Sequence, residues 1–136
     1  MTTAHPFKNG EHRHGDIHHR GAPGLAGLSI GTTTSGAAEI AMVAAGARVV
    51  KACNTTGAEN MADSHHAGGS VFMLVGGDDA EARARTIALA NLIGFDAVDC
   101  HGLAVVCYLE PLAMTWIHMA VRPGYGRSFA FARLQR

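Results

Sequence analysis

The stretch SVFMLVGGDDAEARARTIALANLIGFDAVDC, residues 70–100, decides the fold. It opens on SVFMLV (70–75), a nearly continuous apolar run bounded by glycines, which suits a strand buried on both faces. Asp78, Asp79 and Glu81 then crowd the first turn of a helix, where carboxylates complement the positive end of the macrodipole. Glu81 stands four residues before Arg85, the spacing of an ion pair on one helix face. Ile87, Leu89, Ala90 and Ile93 supply apolar contacts, and Gly94 follows where a terminating glycine belongs. FDAVDC (95–100) alternates as a second strand should.

The same alternation continues outward. Upstream, ARVVKAC (47–53) has the β-branched centre of a strand and ends in the polar cluster Asn54-Thr55-Thr56-Gly57. Before it, AAEIAMVAA (37–45) is helix-forming and Gly46 closes it, while LSIG (28–31) is a short apolar run. Downstream, LAVVCYLEPLAMTWIHMAV (103–121) reads as one long apolar helix. Strands alternating with helices predict helices packed on a mostly parallel sheet, so the fold class is α/β. Four strand candidates are few for an independent doubly wound sheet, which points to a missing half.

Residues 103–121 are long enough to span hydrocarbon. Glu110 and Pro111 sit at the middle of that stretch, and a central carboxylate costs about 3 kcal/mol even on permissive insertion scales. A buried or interface helix is the expectation, with no membrane partner.

The chain has 136 residues, 48% of them hydrophobic and only 16% charged. So sparsely charged a surface is expected to meet a partner, most simply a second copy through the Leu103–Val121 helix. Net charge is zero, with 11 basic and 11 acidic residues, so no basic stripe exists to neutralise phosphates and nucleic acid is not expected as a partner. Residues 1–23 hold five of the nine histidines and show neither helix nor strand period; they read as a disordered His-rich tail ahead of a domain at 24–136. The first fifteen residues lack an apolar signal core, so a cytoplasmic location with reduced thiols is expected.

Chemistry-bearing residues are few. Asn54, Thr55 and Thr56 follow a strand directly, where ligands collect in open α/β sheets. They could grip a carbonyl, amide or phosphate oxygen, or simply cap the next turn. Gly76-Gly77 opens a helix, but Asp78 and Asp79 would repel a phosphate there, so a tight turn with dipole compensation is expected. No strand is followed by G-x-G-x-x-G, so the chain lacks the usual cradle for a pyrophosphate. Cys100 and His101 are sequence neighbours that point to opposite faces of a strand and make no dyad. Cys53, Cys100 and Cys107 lack the spacing of a zinc site, and no metal site or catalytic residue is assigned.

ARVVKACNTTGAENMAD (47–63), FMLVGGDDAEARA (72–84) and LEPLAMTWIHMAVRPGYGRSFAFARL (109–134) together resemble the carboxyl-terminal half of the coenzyme F420-dependent NADP oxidoreductases. That resemblance implies a partial Rossmann-like sheet with a long apolar final helix, and NADP and coenzyme F420 as cofactors. It also implies that Asn54, Thr55, Thr56, Gly57 and Ala58 line the deazaflavin or hydride-transfer side, with the Gly124-Tyr125-Gly126 turn approaching the same crevice. The family binds NADP through an amino-terminal glycine loop that has no counterpart in this sequence. The expected function is therefore that of an incomplete or inactive relative of NADPH-dependent F420 reductase, complemented by a chain that supplies the amino-terminal half. The alternative is a non-catalytic dimerising module that binds a dinucleotide or a partner protein. Hydride passes directly between cofactors in such enzymes, which explains why no acid–base constellation is needed.

Overall fold

A computed structural model describes residues 17–19, 25–28, 30 and 32–136. In chain order these form β1 (Ile17–His19), β2 (Leu25–Leu28), α1 (Gly36–Val43), β3 (Val50–Lys51), α2 (Ala58–Ala62), β4 (Phe72–Gly77), α3 (Ala80–Leu92), β5 (Asp96–Asp99), α4 (Leu103–Val106) and α5 (Leu109–Ala120). The α/β expectation holds.

The unit β4–α3–β5 forms, but of the four apolar contacts expected from α3 and its end only Ile87 and Ala90 pack on the core, while Leu89 and Ile93 are exposed. β4 and β5 pair in parallel, with Phe72 opposite Asp96 and Val75 opposite Asp99. Asp79 is the N-cap of α3, its carboxylate accepting the Ala82 N–H at 2.7 Å. The expected Glu81–Arg85 pair closes at 2.6 Å. Alternation along the central strand puts Val71, Met73 and Val75 into one core with Ala90 and Phe95. On the other face, Val106 of α4 lies against the bare backbone of Gly76, where a Cβ would stand only 2.5 Å from a Val106 methyl. Ala37, Leu103 and Val106 form the second cluster, so the sheet is covered by helices on both sides.

Three expectations are corrected. The sheet is not mostly parallel: its order is β3-β4-β5, and β3 runs antiparallel to β4, with Val50 opposite Gly77 and Lys51 opposite Gly76. Hydrophobic pattern marks a buried strand but carries no sign of its direction, which the connection through α2 sets. The first strand candidate at 28–31 is displaced to Leu25–Leu28 and pairs with β1 instead of joining the sheet. β1 lies within the 1–23 stretch read as tail, whose residues 1–16 and 20–23 lie outside the described residues.

The single long helix is divided into α4 and α5, with Cys107 and Tyr108 between them. Pro111 explains the break. It has no N–H to give to the Cys107 carbonyl, and its ring clashes with that carbonyl in a continuous helix, so the chain restarts one turn earlier. Proline then sits in the first turn of α5, where a missing N–H costs nothing. The segment Leu103–Ala120 is apolar enough by composition to cross a membrane, yet half of it is buried inside this fold.

Candidate functional site

The site is built where β3 ends. Cys53 has a left-handed backbone, φ 57°, and its N–H donates to the Met73 sulfur at 3.1 Å. This bend carries residues 54–57 across the amino end of β4. Because β3 runs antiparallel to β4, the chain beyond Lys51 runs back along β4 toward Phe72, whose carbonyl Thr55 reaches, and away from the Gly77 end from which β4 leads into α3. The candidate residues therefore occupy the carboxyl edge of one strand and the amino edge of its neighbour.

Each side chain there is held. Asn54 donates its amide to the Leu109 carbonyl at 2.7 Å, tying the loop to the start of α5. Thr55 is fully buried, 0% exposed, and donates its hydroxyl to the Phe72 carbonyl at 2.9 Å. Thr56 accepts from the Asn60 amide at 2.6 Å, and the same amide donates to the Phe129 carbonyl at 2.8 Å. Trp116 of α5 sends its indole N–H to that carbonyl as well, at 3.0 Å, and stacks on the Phe129 ring at 5.2 Å. Gly57 permits this packing: a Cβ there would run into the Trp116 indole.

Between the loop, the second half of α5 and the chain beyond it lies a cavity of about 260 Å³. Asn54, Thr56 and Gly57 form one wall, Trp116 and Ile117 the other, and Arg127 stands at the rim. Arg127 is paired with Glu59 at 2.7 Å. Glu59 is held below the usual carboxylate range by hydrogen bonding to its own backbone N–H and then by Arg127.

Of the eight residues singled out in the sequence, Asn54, Thr56 and Gly57 thus meet at one cavity. Thr55 supports it from below without lining it. Ala58 is exposed at the start of α2. Gly124, Tyr125 and Gly126 form an exposed turn after α5, with Tyr125 56% exposed and its ring edge-on to Phe129 at 6.3 Å; none of the three lines the cavity. Residues that sequence reasoning passed over are Trp116, Arg127, Asn60 and the Phe129 carbonyl. The spacing Ala113, Trp116, Ile117, Ala120 on one helix face was a readable signal for the first. A backbone carbonyl leaves none.

At the opposite end of β4, both aspartates are used as caps. Asp78 accepts the Leu103 N–H at 2.8 Å and Asp79 caps α3, which upholds the structural reading of that glycine turn. Asp99 accepts the His101 N–H at 2.6 Å and an Arg83 N–H at 2.9 Å, contacts that hold its carboxyl below the ordinary range. Burial, and secondly the Asp99 charge, push the neighbouring Cys100 thiol up. Among the described residues no group of three His, Cys, Asp or Glu side chains could hold a metal ion.

One further buried group was read only as an obstacle to a membrane span. Glu110 is 1% exposed, accepts the Gly36 N–H at 3.2 Å, and lies 3.5 Å from the Lys51 ammonium. Its carboxylate fills the positive end of α1, where a free anion would otherwise be favoured.

The chain matches no protein-family model and no curated protein. Among solved structures it is similar to a protein from Arthrobacter sp. FB24 provisionally named an F420-dependent NADP-reductase. The two are 29% identical with a TM-score of 0.70, over 82% of this chain and 52% of that one. The chain spans about half the length of that protein. This likeness supports the resemblance to F420-dependent NADP reductases that the sequence motifs carry.

Proposed function

We propose that this chain is the ring-binding part of an α/β unit related to the F420-dependent NADP reductases, and that it is inactive without a partner that supplies a glycine loop. The carrying observation is the cavity that gathers Asn54, Thr56 and Gly57 against Trp116 in a chain 29% identical to a protein of that name. When bound, NADP and F420 supply the chemistry, a direct hydride transfer between two rings. This chain's part is to seat a ring on the α5 face, offer hydrogen bonds from Asn54 and Thr56, and keep water out. On this reading Ala58 and the Gly124-Tyr125-Gly126 turn, which do not line the cavity, meet the parts of the cofactors that extend beyond it, and the unit works in the cytoplasm.

The residues present fit a ring and do not fit a diphosphate. Among the described residues the one glycine pair that leads from a strand into a helix is followed by Asp78 and Asp79, both committed as caps, and the start of α1 is filled by Glu110. Titration with F420, followed on the cofactor's own fluorescence, should show saturable binding that Asn54→Ala weakens. Mixing the protein with NADPH and F420 should give no loss of NADPH absorbance. Steady turnover at catalytic protein levels would refute the inactive reading, and absence of F420 binding would refute the family reading.

A dimerising module is the second reading. The apolar side of α5 that was expected to pair copies is largely turned inward, with Leu109, Ala113, Met114 and Trp116 buried. Met42 and Val43 on α1 are instead 76% and 82% exposed and are the better candidates for a contact between copies. Sedimentation of the chain with Met42→Glu and Val43→Glu against wild type tests it; a wild-type monomer at micromolar concentration ends this reading.

A further inference from the structure

The ligand group this cavity selects can be named more closely. The inference rests on the reading above only for the location of the site, and it concerns which chemistry the walls accept. At about 260 Å³ the cavity falls just below the ~300 Å³ at which pockets for drug-sized molecules begin, so it takes in one or two rings of its occupant. One wall is apolar along a single face of α5, where Ala113 and Ala120 leave width on either side of Trp116 and Ile117.

The polar atoms are few and their free valences are set by their existing bonds. Asn54 gives one of its two amide N–H donors to Leu109, which leaves the second N–H to donate and its carbonyl oxygen to accept. Thr56 already accepts from Asn60, which leaves its hydroxyl proton to donate. Arg127 uses Nε on Glu59, which leaves the outer guanidinium N–H groups. That ion pair is exposed, with the two side chains 58% and 48% accessible, so a second carboxylate can share or replace Glu59 at small cost. A donor hydroxyl and a guanidinium on one side of an apolar slot match an anionic planar end joined to a flat body.

We propose that the cavity beside Trp116 binds a compact aromatic carboxylate, its acid group on Arg127 and Thr56 and its ring against Trp116 and Ile117.

Trp116 is the only tryptophan in the chain, so its indole N–H gives one resonance that reports on the cavity directly. Benzoate is titrated into the ¹⁵N-labelled full chain, with benzamide as the uncharged isostere and Arg127→Gln as the variant. Arg127 is exposed, so its replacement leaves the core intact. Benzoate should shift the Trp116 indole and Asn54 amide resonances saturably. Benzamide, and benzoate with Arg127→Gln, should each bind about tenfold or more weakly, the loss expected for a charge-assisted hydrogen bond. Equal affinity for benzamide, no effect of Arg127→Gln, or no saturable shift overturns the proposal. The F420 titration is read separately on the cofactor: benzoate binding without F420 binding leaves this inference standing and removes the reductase reading, and the reverse result does the opposite.

Discussion

The Glu110 carboxylate accepts the backbone N–H of Gly36 at 3.2 Å, across 74 residues of sequence, so the start of α1 is capped from within α5. Ser35 supplies the local cap, its hydroxyl accepting the Ala38 N–H at 3.1 Å. Lys51 completes the arrangement from β3. One buried carboxylate therefore joins a helix, a strand and the helix that walls the cavity.

Removing that carboxylate leaves a buried helix end and a lysine without partners. Glu110→Ala should cost about 3 kcal/mol of stability, the scale for breaking a buried pair from one side. Lys51→Ala should cost less, because the lysine side chain is a quarter exposed and water partly replaces it. Chemical denaturation midpoints decide the order; a Glu110→Ala protein as stable as wild type would show that the carboxylate does not hold α1.

Gly57 permits the loop to lie on the indole. Gly57→Ala places a methyl group against Trp116 Cη2, and the ring must move. A loss of about 1–3 kcal/mol is expected, the range for overpacking a filled site. Movement of the sole tryptophan should also change its emission maximum, so one fluorescence-detected unfolding curve reads both effects. Unchanged stability and emission would mean that the close approach is not a constraint.

The three thiols should react in a fixed order. Cys53 is exposed, Cys100 half-buried and Cys107 buried. Burial and the Asp99 charge keep Cys100 protonated further into the alkaline range, which slows it beyond its partial exposure. Iodoacetamide labelling followed by peptide mass analysis should find Cys53 modified first and Cys107 last in the folded protein. Early modification of Cys107 would contradict the burial of α4.

Asp99 gives a pH dependence of definite sign. The His101 N–H, then Arg83, lower its carboxyl from the ordinary 3.8 in the folded chain. A lowered carboxylate contributes stability that is present above its unfolded value and lost as pH falls through the folded value. Between about pH 5 and about pH 2 wild type should therefore lose stability relative to Asp99→Asn, which has no charge to titrate there. Denaturation midpoints for the two proteins that stay parallel over that window would rule the contribution out.

Much of the fold was legible in residues 70–100. Val71, Met73 and Val75 alternate into the core, Asp79 caps α3, and Ile87 and Ala90 of α3 pack on that core beside β4 and β5, all within residues 70–100. Local physics of that kind is written in spacing and residue type. Of the cavity's residues, Asn54 and Thr56 could likewise be picked out by position after a strand, and Gly57 by the family resemblance. What tertiary structure alone decided is the direction of β3 and the partners of the polar groups, whereas the break at Cys107 and Tyr108 is a local effect of Pro111. A strand's hydrophobic pattern is the same in either direction, and a hydroxyl such as that of Thr55 becomes a buried support or a ligand contact only when a distant carbonyl, here that of Phe72, takes its proton. Trp116 and Asn60 converge on the Phe129 carbonyl for the same reason: hydrogen bonds satisfied across the fold depend on which backbone atoms the packing brings near, and no side-chain pattern records a carbonyl.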